Sequence, residues 1–121
     1  MKDLMSKIIV SGGECTNSSW TPHPSFEGVY MRNILGGKDT GGRISCHIVR
    51  LEPNAELKAH VHEGKSEIHE IISGTGLMMI DNKDFSYSPG SVCYIPDNTI
   101  HSVKAGDNGL IILAKFSPAI N

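Results

Sequence analysis

Three side chains near the middle of the chain, His60, His62 and Glu67, are of types that bind divalent transition metals, and their spacing can bring them to one point. His60 and His62 are two residues apart. On a strand the side-chain period is two, so both imidazoles leave the same face. Glu67 follows after the four-residue loop Glu63-Gly64-Lys65-Ser66, which can turn the chain back alongside itself. A fourth ligand is expected in a later strand, and His101 fills that place. In the segment from Pro89 to Ala105, Gly90 opens a strand, Pro96 closes it, and Asp97-Asn98 makes a tight turn before His101. In an antiparallel barrel the His101 strand can lie beside the one carrying His60 and His62. An H-x-H pair alone is better explained by surface or core histidines. The carboxylate at a short offset and the later histidine are what point to a metal.

The elements that must position these groups are strands. The chain has 121 residues with thirteen glycines and six prolines, and it has no long apolar stripe of helical period. Strands are expected at Lys7 to Val10, Val29 to Leu35, Arg43 to Glu52, Leu57 to His62, Glu67 to Ser73, Leu77 to Asp81 and Phe85 to Tyr87. Val92 to Ile95, Ile100 to Val103 and Leu110 to Phe116 complete the set. Gly74-Thr75-Gly76 reads as a turn, and GGKDTGG at Gly36 to Gly42 as a hairpin connection without P-loop spacing. Short strands at such regular intervals are the pattern of an all-β sandwich or barrel. The length fits one domain, residues 1–121, with an N-terminal strand and loop over 1–27.

Two longer motifs carry a resemblance to the cupin family. The family's first motif is G-x5-H-x-H-x3–4-E-x6-G, and this chain has Asn54, His60-Val61-His62, Glu67 and Gly74 at those intervals, within residues 54–76. The second is G-x5-P-x-G-x2-H-x3-N, matched by Gly90, Pro96-Asp97-Asn98, His101 and Ala105 over residues 90–105. Asn54 and Asn98 replace glycines of turns with positive φ, a conformation that Asn tolerates best after glycine. Ala105 replaces a residue that is not a ligand in the family. The resemblance implies a double-stranded β-helix (jelly-roll) barrel in which His60, His62, Glu67 and His101 hold one divalent ion. Four protein ligands on an octahedral ion leave two adjacent positions open, and the set suits Fe, Mn, Ni, Co, Cu or Zn. It also implies a homodimer, with Lys7 to Val10 as a strand paired across the interface.

Strand parity extends the site. His69 shares a face with Glu67, so it is expected to be a catalytic base, a partner of a ligand or an extra ligand. The plain alternative is a core histidine bonded to backbone. Lys58 shares the parity of His60 and is expected to look into the barrel mouth and attract an anion. Tyr30 and Arg32 share a face, and Arg32 near the metal would grip a substrate carboxylate in a bidentate fork. Either His47 or Cys46 must face inward, and Trp20 and His23 are expected in a lid or interface.

The net charge of −2 offers no basic field for nucleic acid or anionic lipid. No apolar run approaches a membrane span or a signal peptide, and three widely spaced cysteines without C-x-x-C fit a reducing compartment, so a cytoplasmic protein is expected. These readings lead to a metal-dependent enzyme acting on a small polar or anionic molecule. Dioxygenase chemistry is favoured slightly over isomerase or lyase chemistry. The alternative is a non-catalytic cupin that binds or senses a small, sugar-like molecule.

Overall fold

The computed structural model describes residues 7–10, 13–16 and 19–121. In order, its strands are β1 (Lys7–Val10), β2 (Gly13–Thr16), β3 (Thr21–Pro22), β4 (Val29–Leu35), β5 (Ser45–Leu51) and β6 (Glu56–His60). They continue with β7 (Ser66–Ile80), β8 (Lys83–Tyr87), β9 (Val92–Ile95) and β10 (His101–Ser117). The expected hairpin between β4 and β5 is present, and its loop contains one helical turn, Gly37–Thr40.

Two long strands organise the rest. The sequence reading divides Glu67 to Asp81 at Gly74-Thr75-Gly76, but β7 runs straight through those residues. β10 likewise joins the two segments expected as separate strands. The reason is their mutual pairing: β7 and β10 lie antiparallel along nearly their full lengths. Their registers shift between Ala105 and Leu110, where Gly74 and Gly109 take positive φ. Glycine here bends a continuous ladder without ending it.

That bend makes a jelly roll. The C-terminal half of β10 pairs with β5 and with the first half of β7, which also pairs with β9. Its N-terminal half pairs with β6 and with the second half of β7, which also pairs with β8. The facing sides enclose the core, including Leu51, Leu57, Ile71, Met78, Ile95, Val103 and Ile112. Each such buried aliphatic side chain stabilises the fold by about 1.5–3 kcal/mol. A smaller cluster, Ile48, Ile111 and Leu113 with Trp20, Ile34 and Ile72 packed against it, covers the opposite side of the β4–β5–β10–β7 sheet. β1 pairs with β2 of the same chain in a separate two-stranded sheet.

Candidate metal centre

β6 and β10 bring the first two ligand segments together, with His60 directly across from His101. The pairing contains a bulge: Leu57 lies opposite Val103, so Lys58 and Ala59 together face the single residue Ser102. One extra residue re-aims everything after it. Leu57 and His60 both turn inward, while Lys58 and Ala59 are exposed. The simple parity that placed Lys58 in the barrel mouth fails for this reason. The Lys58 carbonyl instead accepts the Nδ1–H of His60 at 2.7 Å.

His62 lies just beyond the end of β6, and its ring meets that of His60 edge-on at 5.0 Å. The nitrogens of His60, His62 and His101 all fall within 4.8 Å of one another, so these three could hold a metal ion. Glu67 enters from β7, its Oε1 3.3 Å from His101 Nε2 and 3.8 Å from His62 Nε2. Donors about 2.1 Å from one ion lie about 3.0 Å apart when adjacent and about 4.2 Å apart when opposite, so the two Glu67 separations fit a shared ion.

The polar bookkeeping fits as well. Glu67 Oε1 and His101 Nε2 are buried with no aligned hydrogen-bond partner among the described residues. Their 3.3 Å approach is proximity without the geometry of a bond. A buried acceptor left in this way costs stability unless something else satisfies it, and a cation would. The tautomers are suitable too. His60 donates its Nδ1–H to Lys58 O and His101 donates its own to Thr99 O at 2.9 Å, which leaves both Nε2 lone pairs free.

Electrostatics support the arrangement. Burial works against the Glu67 charge, but the nearby His69 and His101 rings outweigh it and bring the carboxyl down to about 2. Burial also lowers the His60 and His62 pKa values, which keeps both rings neutral and able to coordinate. For His101 burial pulls the same way, but the Glu67 carboxylate and the Thr99 carbonyl reverse it and raise its pKa.

The loops are braced across the two motifs. Asn98 donates its backbone N–H to His62 O at 3.2 Å, and its side-chain Oδ1 accepts from Gly64 N at 3.3 Å. Asn54 and Asn98 have φ of 64° and 58°, the left-handed conformation expected of them. Asn98→Ala is therefore expected to cost about 1–2 kcal/mol through left-handed strain, and Asn98→Gly distinctly less, in paired thermal melts.

His69 is buried beneath Glu67. Its Nε2 meets Glu67 Oε2 at 2.8 Å and its Nδ1 meets Tyr87 Oη at 3.0 Å. With both nitrogens engaged, it is placed to hold a ligand and not to reach a substrate as a base. Tyr30 and Arg32 share a face, as expected, but the outer one, because Val29 and Met31 take the core side. The Arg32 guanidinium lies 5.3 Å from the Trp20 ring, and that of Arg50 lies 4.8 Å from Trp20 and 4.7 Å from Tyr30. These residues form a cation–π cluster outside the barrel, away from any fork on a metal-bound carboxylate.

Four residues near the ligands escaped the sequence reading. Phe26 stacks on His23 at 4.6 Å and packs 5.7 Å from the His60 ring. Phe116 stands edge-on to His62 at 4.8 Å. Lys65 lies close enough to help lower the His62 pKa, behind burial as the main cause. Tyr87 is the fourth.

His47, and not Cys46, is the inward residue of its pair, fully buried with Nδ1 2.7 Å from Asn33 Oδ1 and Nε2 3.0 Å from Ser45 Oγ. Burial lowers its pKa from 6.5 to about 4. The unfolded chain then binds the proton more readily, so this stability is intact above about pH 6.5 and is lost as pH falls towards about 4. The loss is roughly 3 kcal/mol from this group. His47→Gln is expected to flatten that part of the stability–pH curve in urea titrations.

Residues 47–113 match the family described as the cupin domain. The chain belongs to the cupin family. A 67-residue stretch is 33% identical to the oxalate-binding protein of Thermotoga maritima, covering 54% of this chain and 55% of that protein. A 93-residue stretch is 29% identical to the 5-aminosalicylate 1,2-dioxygenase of Comamonas sp., covering 75% of this chain but 25% of the enzyme. The cupin thus aligns with only about half, or less, of these relatives' lengths. Among solved structures, a predicted oxalate decarboxylase from Thermotoga maritima superposes with a TM-score of 0.75 at 23% identity, over 92% of this chain and 97% of that one. KdgF from Halomonas sp. gives 0.76 at 18% identity, over 86% and 89%. At these identities the superpositions show the jelly-roll fold. Among the described residues, no helix is long and apolar enough to cross a membrane.

Proposed function

We propose that this cupin holds one divalent transition metal ion through His60, His62, Glu67 and His101 and acts on a small carboxylate. The observation that carries this reading is the cluster of three imidazoles, two of which face a buried, unpartnered carboxylate oxygen. A bound ion supplies Lewis acidity and, if redox-active, electron transfer. The protein's own contribution is positional. The backbone carbonyls of Lys58 and Thr99 orient His60 and His101, His69 occupies the second oxygen of Glu67, and Phe26 and Phe116 provide apolar walls beside the ligand rings.

With Arg32 and Lys58 turned away, the anion's partners are the metal itself and Lys65. The names of two relatives support a carboxylate, since oxalate and 5-aminosalicylate both carry one. The Comamonas relative favours dioxygenase chemistry over isomerase or lyase chemistry. The Thermotoga relative favours the second reading, binding without turnover. Oxygen uptake by the anaerobically iron-loaded protein with hydroxybenzoates and aminobenzoates separates them. Uptake supports the oxygenase, whereas calorimetric binding of oxalate or salicylate with no consumption under any metal supports the binding module.

The exposed Ile68, Val92 and Tyr94, adjacent on the outer face of β7 and β9, support a homodimer, which sedimentation velocity would test. The free thiols of Cys46 and Cys93 support a reducing, cytoplasmic setting.

A further inference from the structure

A metal-binding carboxylate can offer one oxygen or two, and the groups behind Glu67 bear on which. We propose, resting on the metal reading above, that Tyr87 acts through His69 as a positioning residue that holds Glu67 as a one-oxygen ligand.

With His69 a neutral ring, as assigned in this proposal, the direction of each hydrogen bond follows. An ionised carboxylate can only accept, so the 2.8 Å contact with Glu67 Oε2 requires a proton on His69 Nε2. A neutral imidazole protonated there has Nδ1 as an acceptor only. Tyr87 Oη, 3.0 Å from that Nδ1, must therefore donate. The chain runs from Tyr87 O–H to His69 and from His69 N–H to Oε2. It leaves Oε1 as the oxygen without a partner, 3.3 Å from His101 Nε2.

His69 and Tyr87 are 2% and 3% exposed, so water is not at hand to replace either bond. Glu67 already requires the proton on His69 Nε2, and the Tyr87 hydroxyl adds a second anchor, at Nδ1, that fixes the ring's orientation. Without that hydroxyl a buried Nδ1 is left unpaired, and the ring, with Glu67 behind it, is freer to turn. Tyr87 comes from β8, paired with Gly76 at the far half of β7, so this control reaches the ligand from the other half of the barrel.

The wild-type protein gives the first test. Long-range proton–nitrogen correlation of the zinc-loaded, nitrogen-15-labelled protein should show His69 protonated at Nε2 and bare at Nδ1. A proton on Nδ1 would overturn the proposal whether or not any variant folds. Tyr87→Phe should weaken cobalt binding about 10-fold, the lower end for losing an outer partner of a metal ligand, and should alter the cobalt visible spectrum.

His69→Gln provides an amide donor to Glu67 that does not depend on Tyr87. Adding Tyr87→Phe in that background should change neither affinity nor spectrum. Equal losses in both backgrounds would mean that Tyr87 matters only for packing, against the proposal. A loaded wild type indistinguishable from Tyr87→Phe would count against Tyr87 alone. A wild type that takes up neither zinc nor cobalt would remove the site itself.

Discussion

His101→Ala is expected to weaken zinc or cobalt binding by well over 100-fold, beyond the roughly 10–100-fold typical of losing an outer-shell partner. The ring it removes is buried, and its neutral tautomer is set by Thr99, so its Nε2 is already aimed at the other ligands. The substitution also leaves Glu67 Oε1 facing a hole with its nearest ring neighbour gone. The Glu67 carboxyl should then move back up from about 2, because burial opposes its charge and one of the groups overcoming burial is lost. Calorimetric titration with cobalt measures the affinity, and far-ultraviolet circular dichroism checks that the variant is folded. An affinity within a few-fold of wild type would mean that His101 is not a ligand.

The second large effect is on folding. Gly74→Ala would place a methyl group 2.1 Å from the Gly109 carbonyl oxygen, at a backbone φ of +81°. The left-handed strain costs about 1–2 kcal/mol and the overpacking about 1–3 kcal/mol. Together they remove roughly 2–5 kcal/mol from a total that is only about 5–15 kcal/mol in most domains. Gly90→Ala is the internal control, since its φ is +92° but nothing lies within 4 Å of the added carbon. Urea midpoints should fall for both and clearly further for Gly74→Ala. Equal shifts would show that the close crossing of β7 and β10 at Gly109 does not matter.

Gly74 also shows where sequence reasoning reaches its limit. Composition marks Gly74-Thr75-Gly76 as an interruption but cannot say whether the chain turns there or bends while its pairing continues. The partner that decides lies more than thirty residues later, in β10. The ligand segments were legible because their signal is local: strand period, a short loop and turn residues tolerant of positive φ. The pairing of His60 with His101 and the positive φ of Asn54 and Asn98 follow that reading.

Parity was less secure. In β4 it correctly put Tyr30 and Arg32 on one face without saying which, and the core took Val29 and Met31. In β6 the bulge opposite Ser102 broke it, turning Lys58 outward while keeping His60 in. A bulge here has no mark in the sequence, since neither Lys58 nor Ala59 is a glycine. His69 was found by parity, but its hydroxyl partner was not. Tyr87 reads as an ordinary strand aromatic until the pairing of β8 with β7 sets it against that ring.

The central claim is that His60, His62, Glu67 and His101 form one metal site. The most direct measurement is elemental analysis of wild-type protein after anaerobic loading with iron, manganese, cobalt, nickel, copper or zinc and removal of excess metal. The account predicts one tightly held ion per chain for at least one of these metals. Protein that remains metal-free after every loading would contradict it.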